Sequence, residues 1–156
     1  MKKIIASIKK LSDINPIVYL GENTFSKLNL ITSSGLSTNA LKQCPFPLPN
    51  DYATLLNTYN GFSFLEGVCV FFSLEDAIEY TKLYTENKHI LYYDTYLNIA
   101  SVLGDYVFLD VNSTEGMILV AAEGIAELKP LKIGFKQFLD YILSSHAIKY
   151  WDNHLL

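Results

Sequence analysis

Between Leu48 and Gly61 the chain reads Leu-Pro-Asn-Asp-Tyr-Ala-Thr-Leu-Leu-Asn-Thr-Tyr-Asn-Gly, a stretch that specifies a helix together with its start and its stop. Tyr52, Leu55, Leu56 and Tyr59 recur at i, i+3, i+4 and i+7, so a helix here carries one apolar stripe and turns Ala53, Thr54, Asn57 and Thr58 away from it. Such a stripe must be buried. Pro49 suits the first turn, where a missing N–H costs nothing, and Asn50 and Asp51 can satisfy free amides there. Asn60-Gly61 is expected to supply the left-handed residue that ends the helix. None of these residues forms a catalytic pattern.

At 156 residues the chain is expected to be one domain, 1–156, and a domain of that length hides roughly 68–70% of the surface its unfolded chain exposes. No window approaches the roughly 18 continuous apolar residues of a membrane helix. The apolar run at the start, Ile4 to Ile8, is closed by Lys9 and Lys10; a secretory signal needs about 7–15 such residues, so a cytoplasmic location is expected. Cys44 and Cys69 form no C-x-x-C and have no histidine at ligand spacing, so they read as buried free thiols and not as a redox or zinc motif. The net charge is −4, with twelve lysines and no arginine. Arginine is the preferred residue for bidentate contacts to guanine and phosphate, so nucleic-acid binding is disfavoured, although an AT-rich genome accounts for most of the deficit.

Ile4, Ile5, Ile8 and Leu11 lie on one side of a short helix whose other sides carry Lys2, Lys3, Lys9 and Lys10, and core packing is the expected use of that apolar side. From Ser12 to Pro47 the signals are mixed: Ile17–Leu20 and Leu28–Ile31 suit short strands, and Ser33–Gly35 and Cys44–Pro47 suit loops. Val68–Phe72 is β-branched and aromatic, hence a strand. Ser73-Leu74-Glu75-Asp76 has capping-box spacing for a helix lined by Leu74, Ala77, Ile78, Thr81 and Tyr84. Beyond Asn87 the period becomes extended: Ile90–Tyr93, Leu97–Leu103, Tyr106–Val111, Met117–Ala122 and Ile125–Leu128 are strand candidates. Gly104-Asp105 is expected to join two of them in a type II′ turn. Successive hairpins mean an antiparallel sheet. Phe135, Phe138, Leu139, Ile142 and Leu143 fall on one face of a closing helix, which should cover that sheet.

Chemistry leaves little trace. The chain has no G-x-S-x-G, G-x-G-x-x-G or phosphate-cradling G-x-x-x-x-G-K-[ST], and His89, His146 and His154 are scattered. Glu75, Asp76 and Glu79 are accounted for by the positive end of a helix dipole. No cofactor, metal site or enzymatic activity is expected. The eleven tyrosines and Trp151 are mostly packing residues, with two or three free to serve an interface.

Leu48-Pro49-Asn50-Asp51-Tyr52, Leu55-Leu56 and Tyr59-Asn60-Gly61 together resemble the SUKH superfamily, the fungal cell-wall-synthesis-regulator-like domains, whose opening helix reads L-P-x-x-[YF]-x-x-[FL]-[LM]-x-x-[YN]-N-G. Leu97-Asn98-Ile99-Ala100 with Gly104-Asp105 and Leu109-Asp110 is similar to the family's central hairpin, and Phe135-Lys136-Gln137-Phe138-Leu139 to its closing helix. The resemblance spans about Leu48 to Leu143; it departs from the pattern at Gly134, where the family commonly has Ser, and in the length of Ser12–Pro47. It implies an α+β fold, a twisted, mainly antiparallel sheet with helices on one side. It also implies a non-enzymatic module that binds and neutralises a cognate bacterial toxin domain, or alternatively a regulatory scaffold for cell-wall synthesis; a small-ligand binder or enzyme with an unrecognised pocket is the third alternative. Neither nucleic acid nor membrane is an expected partner. The acidic balance suits a basic toxin, nucleases included. The residues expected to meet such a partner are exposed acids near strand ends and turns, Asp94, Asp105, Glu115 and Glu123, with Tyr92 and Tyr96 as aromatic anchors.

Overall fold

The computed structural model describes residues 1–21, 24–88, 95–122 and 127–145. In chain order it contains α1 (Lys2–Ile14), β1 (Ile17–Gly21), β2 (Thr24–Lys27), β3 (Ile31–Thr32), α2 (Thr38–Lys42), α3 (Asn50–Thr58), β4 (Phe62–Phe64), β5 (Cys69–Phe71), α4 (Leu74–Lys88), β6 (Tyr96–Val102), β7 (Asp105–Asp110), β8 (Met117–Ala121), β9 (Lys129–Gly134) and α5 (Phe135–Ser144). Strands β3 to β9 form one seven-stranded sheet in sequence order, every neighbour antiparallel, and β1–β2 form a separate ribbon. The α+β architecture is the one the sequence implies.

The apolar stripes explain the layers. Phe135, Phe138, Leu139 and Ile142 of α5 are wholly buried, as the spacing requires, and Tyr52, Leu55 and Leu56 of α3 share their core with Ile4 and Ile8 of α1. The Tyr52 ring meets Phe135 edge-on at 5.2 Å, Phe71 leans on Phe138 at 6.3 Å, and Phe62 stacks on Phe71 at 4.4 Å. Lys2, Lys3, Lys9 and Lys10 remain exposed on the outer side of α1. Helices on one side describes α1, α3 and α5 but not α4. Along β7, Val107 and Leu109 join the main core, while the alternate residue Phe108 joins a second cluster with Tyr84 of α4, Leu119 and Ala121. The Tyr84 ring lies 4.9 Å from Phe108 and 5.3 Å from Tyr106. Thr81 pins this helix to the sheet: its Oγ1 accepts from the Asn98 N–H at 2.7 Å and donates to the Ala77 carbonyl at 2.6 Å. Asn98 sits at a bulge in β6, and its buried side-chain amide, once turned so that its nitrogen faces the Val107 and Ala100 carbonyls, can donate to both.

Several local expectations change. The Asn60-Gly61 pair does not cap α3, whose last turn runs into an extended Tyr59. Asn60 instead reaches forward: its Oδ1 accepts from the Leu74 N–H at 2.8 Å and its Nδ2 donates to Glu75 at 3.0 Å. Gly61, at φ 94°, lets the chain pass so close that a Cβ would lie 2.9 Å from the Phe71 carbonyl and the Ser73 nitrogen. Ser73 caps α4 as its spacing indicates, accepting from the Asp76 N–H at 3.1 Å. Asn50 and Asp51 make no capping bond at the start of α3. The β6–β7 turn is Leu103-Gly104, one residue earlier than Gly104-Asp105, with φ of 50° and 87°, the signs of a type I′ turn and not II′.

Leu28–Ile31 contributes only β3, although Leu28 and Leu30 are buried. The elements β2, α2, β4 and β9 carry no signal the periodicities could read. β4 is a three-residue Phe-Ser-Phe, and β9 contains Pro130, tolerated because β9 is an edge strand. Of the Ile125–Leu128 candidate, Glu127 and Leu128 lie outside any strand and the first two residues, like the Ile90–Tyr93 candidate, fall outside the described residues. Gly134, the departure before the closing helix, does serve as the N-cap of α5; a Cβ there would come within 3.1 Å of the Glu115 carbonyl, which accepts from the Phe135 N–H.

Asn60→Ala should lower stability by about 1–2 kcal/mol in chemical denaturation, since it frees a helix-start amide and a carboxylate at once. The Asn60 amide, aided by hydrogen bonds from the Glu75 backbone and Ser73, holds the Glu75 carboxyl below its ordinary value. Because the folded value is depressed, that contribution is complete above the unfolded value of about 4.3 and fades as pH falls through the folded one. Glu75→Gln should therefore flatten the acid limb of the stability–pH curve. The Tyr52 hydroxyl is buried without a hydrogen-bond partner among the described residues. Tyr52→Phe should leave stability unchanged or raise it by up to about 1 kcal/mol, whereas Tyr52→Ala should cost about 3–5 kcal/mol.

Candidate partner-binding surface

Of the residues expected to meet a partner, the three that are described, Tyr96, Asp105 and Glu115, do not form one surface. Asp105 is the first residue of β7, paired with Val102 in the ladder, and is 7% exposed. The expectation of an exposed acid fails there because the turn closes one residue earlier. Glu115 is exposed, in the loop between β7 and β8 at the other end of the sheet. Tyr96 is half-buried and packs with Phe108, Leu119 and Tyr84, so its ring serves the second cluster. Asp94, Glu123 and Tyr92 lie outside the described residues.

Around Glu115 the starts of α1, α3 and α5 frame a cleft of about 570 Å³, lined by Lys3, Asp51, Glu115, Lys136, Gln137 and Asp140 among others. Asp140 also lines a second hollow of about 400 Å³, with Ser7, Lys10, Leu11, Ile14 and Pro16, so the two depressions meet between α1 and α5. Both signs of charge are present, two lysines facing three carboxylates in the first cleft. That arrangement can pair with mixed-charge side chains of a partner and favours neither a pure anion nor a cation. Its residues come from four separated segments, so no spacing in the sequence brings them together.

Burial works against ionisation of both thiols. Cys69 is fully buried and burial pushes its thiol up; Cys44 is half-buried rather than buried as expected, and is likewise raised by desolvation. A thiol that resists ionisation is a poor nucleophile and metal ligand at neutral pH. Among the described residues no three of His, Cys, Asp and Glu gather where they could hold a metal, and no helix is long and apolar enough to cross a membrane.

The surface feature that periodicity missed is the β1–β2 ribbon. Ile17–Leu20 is a strand as its apolar run suits, yet Val18 alone of the first three is buried; Ile17, Tyr19 and the facing Phe25 are 68%, 55% and 66% exposed. A two-stranded ribbon has two faces and only one rests on the core.

None of the curated proteins compared matches this chain. Residues 38–141, two thirds of the sequence, match the SMI1 / KNR4 family (SUKH-1). That match starts with α2, takes in the Leu-Pro helix α3, the Asn-Gly junction and the β6–β7 hairpin, and ends within α5. Because that match covers two thirds of the sequence, the chain belongs to the SMI1 / KNR4 family (SUKH-1).

Proposed function

We propose that this chain is a cytoplasmic immunity protein that binds a cognate toxin domain and neutralises it by covering its working surface, with no catalytic step of its own. Family membership over residues 38–141 carries the reading, because the family is one of binding modules in immunity or cell-wall regulation. The physical character of the chain supports it. A closely packed two-faced sheet is a rigid platform, which limits the ordering cost of association. The net charge of −4 draws a basic partner and speeds encounter. Exposed Glu115, with Asp94 and Glu123, would supply part of that field.

Co-expression with the polypeptide encoded immediately upstream is the decisive test: this chain should rescue cells from that neighbour and copurify with it. A harmless neighbour together with a cell-wall defect on deletion would replace this reading with the regulatory scaffold. Reversing Glu115, Asp94 and Glu123 to lysine should slow association with the toxin by about tenfold or more at low salt and by much less at high salt. Asp105 is left out because a buried substitution would disturb β7.

A further inference from the structure

We propose that the outer face of the β1–β2 ribbon, Ile17, Tyr19 and Phe25 with Lys27 beside them, is the apolar anchor by which this chain holds its protein partner, inserted into an apolar hollow that carries a carboxylate at its rim. The assignment rests on the reading of the chain as a toxin-binding protein.

Register and burial carry it. Tyr19 faces Phe25 and Ile17 faces Lys27 across the ribbon, so these four side chains share one side, while Val18 between them is buried on the other. The two rings touch, 5.2 Å between centroids. Isoleucine and two aromatics side by side in water are unlike the scattered single apolar residues of an ordinary surface, and rigid aromatics are the chemistry of binding hot spots. The ribbon is held ready. Asn15 and Asn29, both at positive φ, bond each other at its base through the Asn29 N–H at 2.7 Å and the Asn15 amide at 3.1 Å. The Leu28 N–H adds a bond to the Pro16 carbonyl at 2.9 Å. A lone two-stranded ribbon is marginal in water, so these ties keep the presented face in one geometry.

Area decides between a second copy and a different protein. Two aromatics of about 150–250 Å² each, a little over half exposed, with one isoleucine, offer on the order of 300–400 Å² per chain. Two copies face to face would bury less than the roughly 1,200 Å² of a stable interface. A two-fold pairing on so small a patch would also crowd the two Lys27 ammonium groups, whereas a carboxylate on a different protein complements Lys27. The ribbon precedes the family-matched segment and pairs with no strand of the main sheet, so a partner-specific contact can sit there without altering that sheet.

The probe is the upstream-encoded polypeptide, inactivated, immobilised and titrated with the full chain. Phe25→Ala and Tyr19→Ala should each weaken binding by about thirtyfold or more, chiefly through faster dissociation. Their thermal midpoints should match the wild type, since both rings stand mainly in solvent. Lys27→Glu should weaken binding further at low salt than at high salt. Undiminished binding by both alanine variants would overturn the anchor while leaving the toxin-binding reading in place; no binding by the wild type would overturn both. A free wild-type chain that sediments as a dimer, and as a monomer after Phe25→Ala, would show the face to be a self-interface and overturn the proposal.

Discussion

One side chain ties the two sides of the sheet to each other. Asn60 leaves the end of α3, which belongs to the main core, and closes on the first two residues of α4. From that junction α4 runs from Leu74 and Ala77 in the main core to Tyr84 in the second cluster. The β4–β5 hairpin is the loop between, so its length is set by a contact made at its base. Gly61 allows the two strands of chain to pass at a separation that any side chain would forbid. The paired residues are therefore constrained by each other's backbone: a helix start that needs an acceptor, and a crossing that needs no Cβ.

Much of this fold is legible in the sequence where a stripe of apolar residues is long enough to have a period. The faces of α1, α3 and α5 lie where i, i+3, i+4 spacing puts them, and Ser73 caps where its spacing indicates. Short elements escape, because β3 and β4 span two and three residues and give no period to read. The Asn-Gly pair reads locally as a helix stop, and its use is tertiary; the residues Asn60 serves are fourteen and fifteen positions downstream. Likewise the type I′ turn tolerates Leu103 at a φ of 50°, a position where propensity favours Asn or Gly, and that preference is what displaced the expected turn by a residue.

The binding surface is less legible, for a related reason. Exposure is a property of the packed molecule: Asp105 and Glu115 are both acids beside a turn, yet one is buried in a ladder and the other stands at the mouth of a cleft. The consecutive apolar residues Ile17, Val18 and Tyr19 suit a strand, but nothing in them says which face is buried, or that the ribbon stands apart from the main sheet. The cleft beside Glu115 gathers side chains from helix starts distant in sequence, joined only by the layer they share.

The sequential strand order bears on how the chain is made. With no crossover between β3 and β9, each strand pairs with the one synthesised before it, directly or across a helix, so the sheet can extend as the chain lengthens. The last of the cover comes late: Phe135, Phe138, Leu139 and Ile142 lie on the last described helix, after every described strand has been laid down. A nascent chain short of α5 has a nearly complete sheet whose inner face is covered only by α1 and α3. Such an intermediate is both assembled and adhesive, and its lifetime on the ribosome sets the window in which a chaperone has work to do.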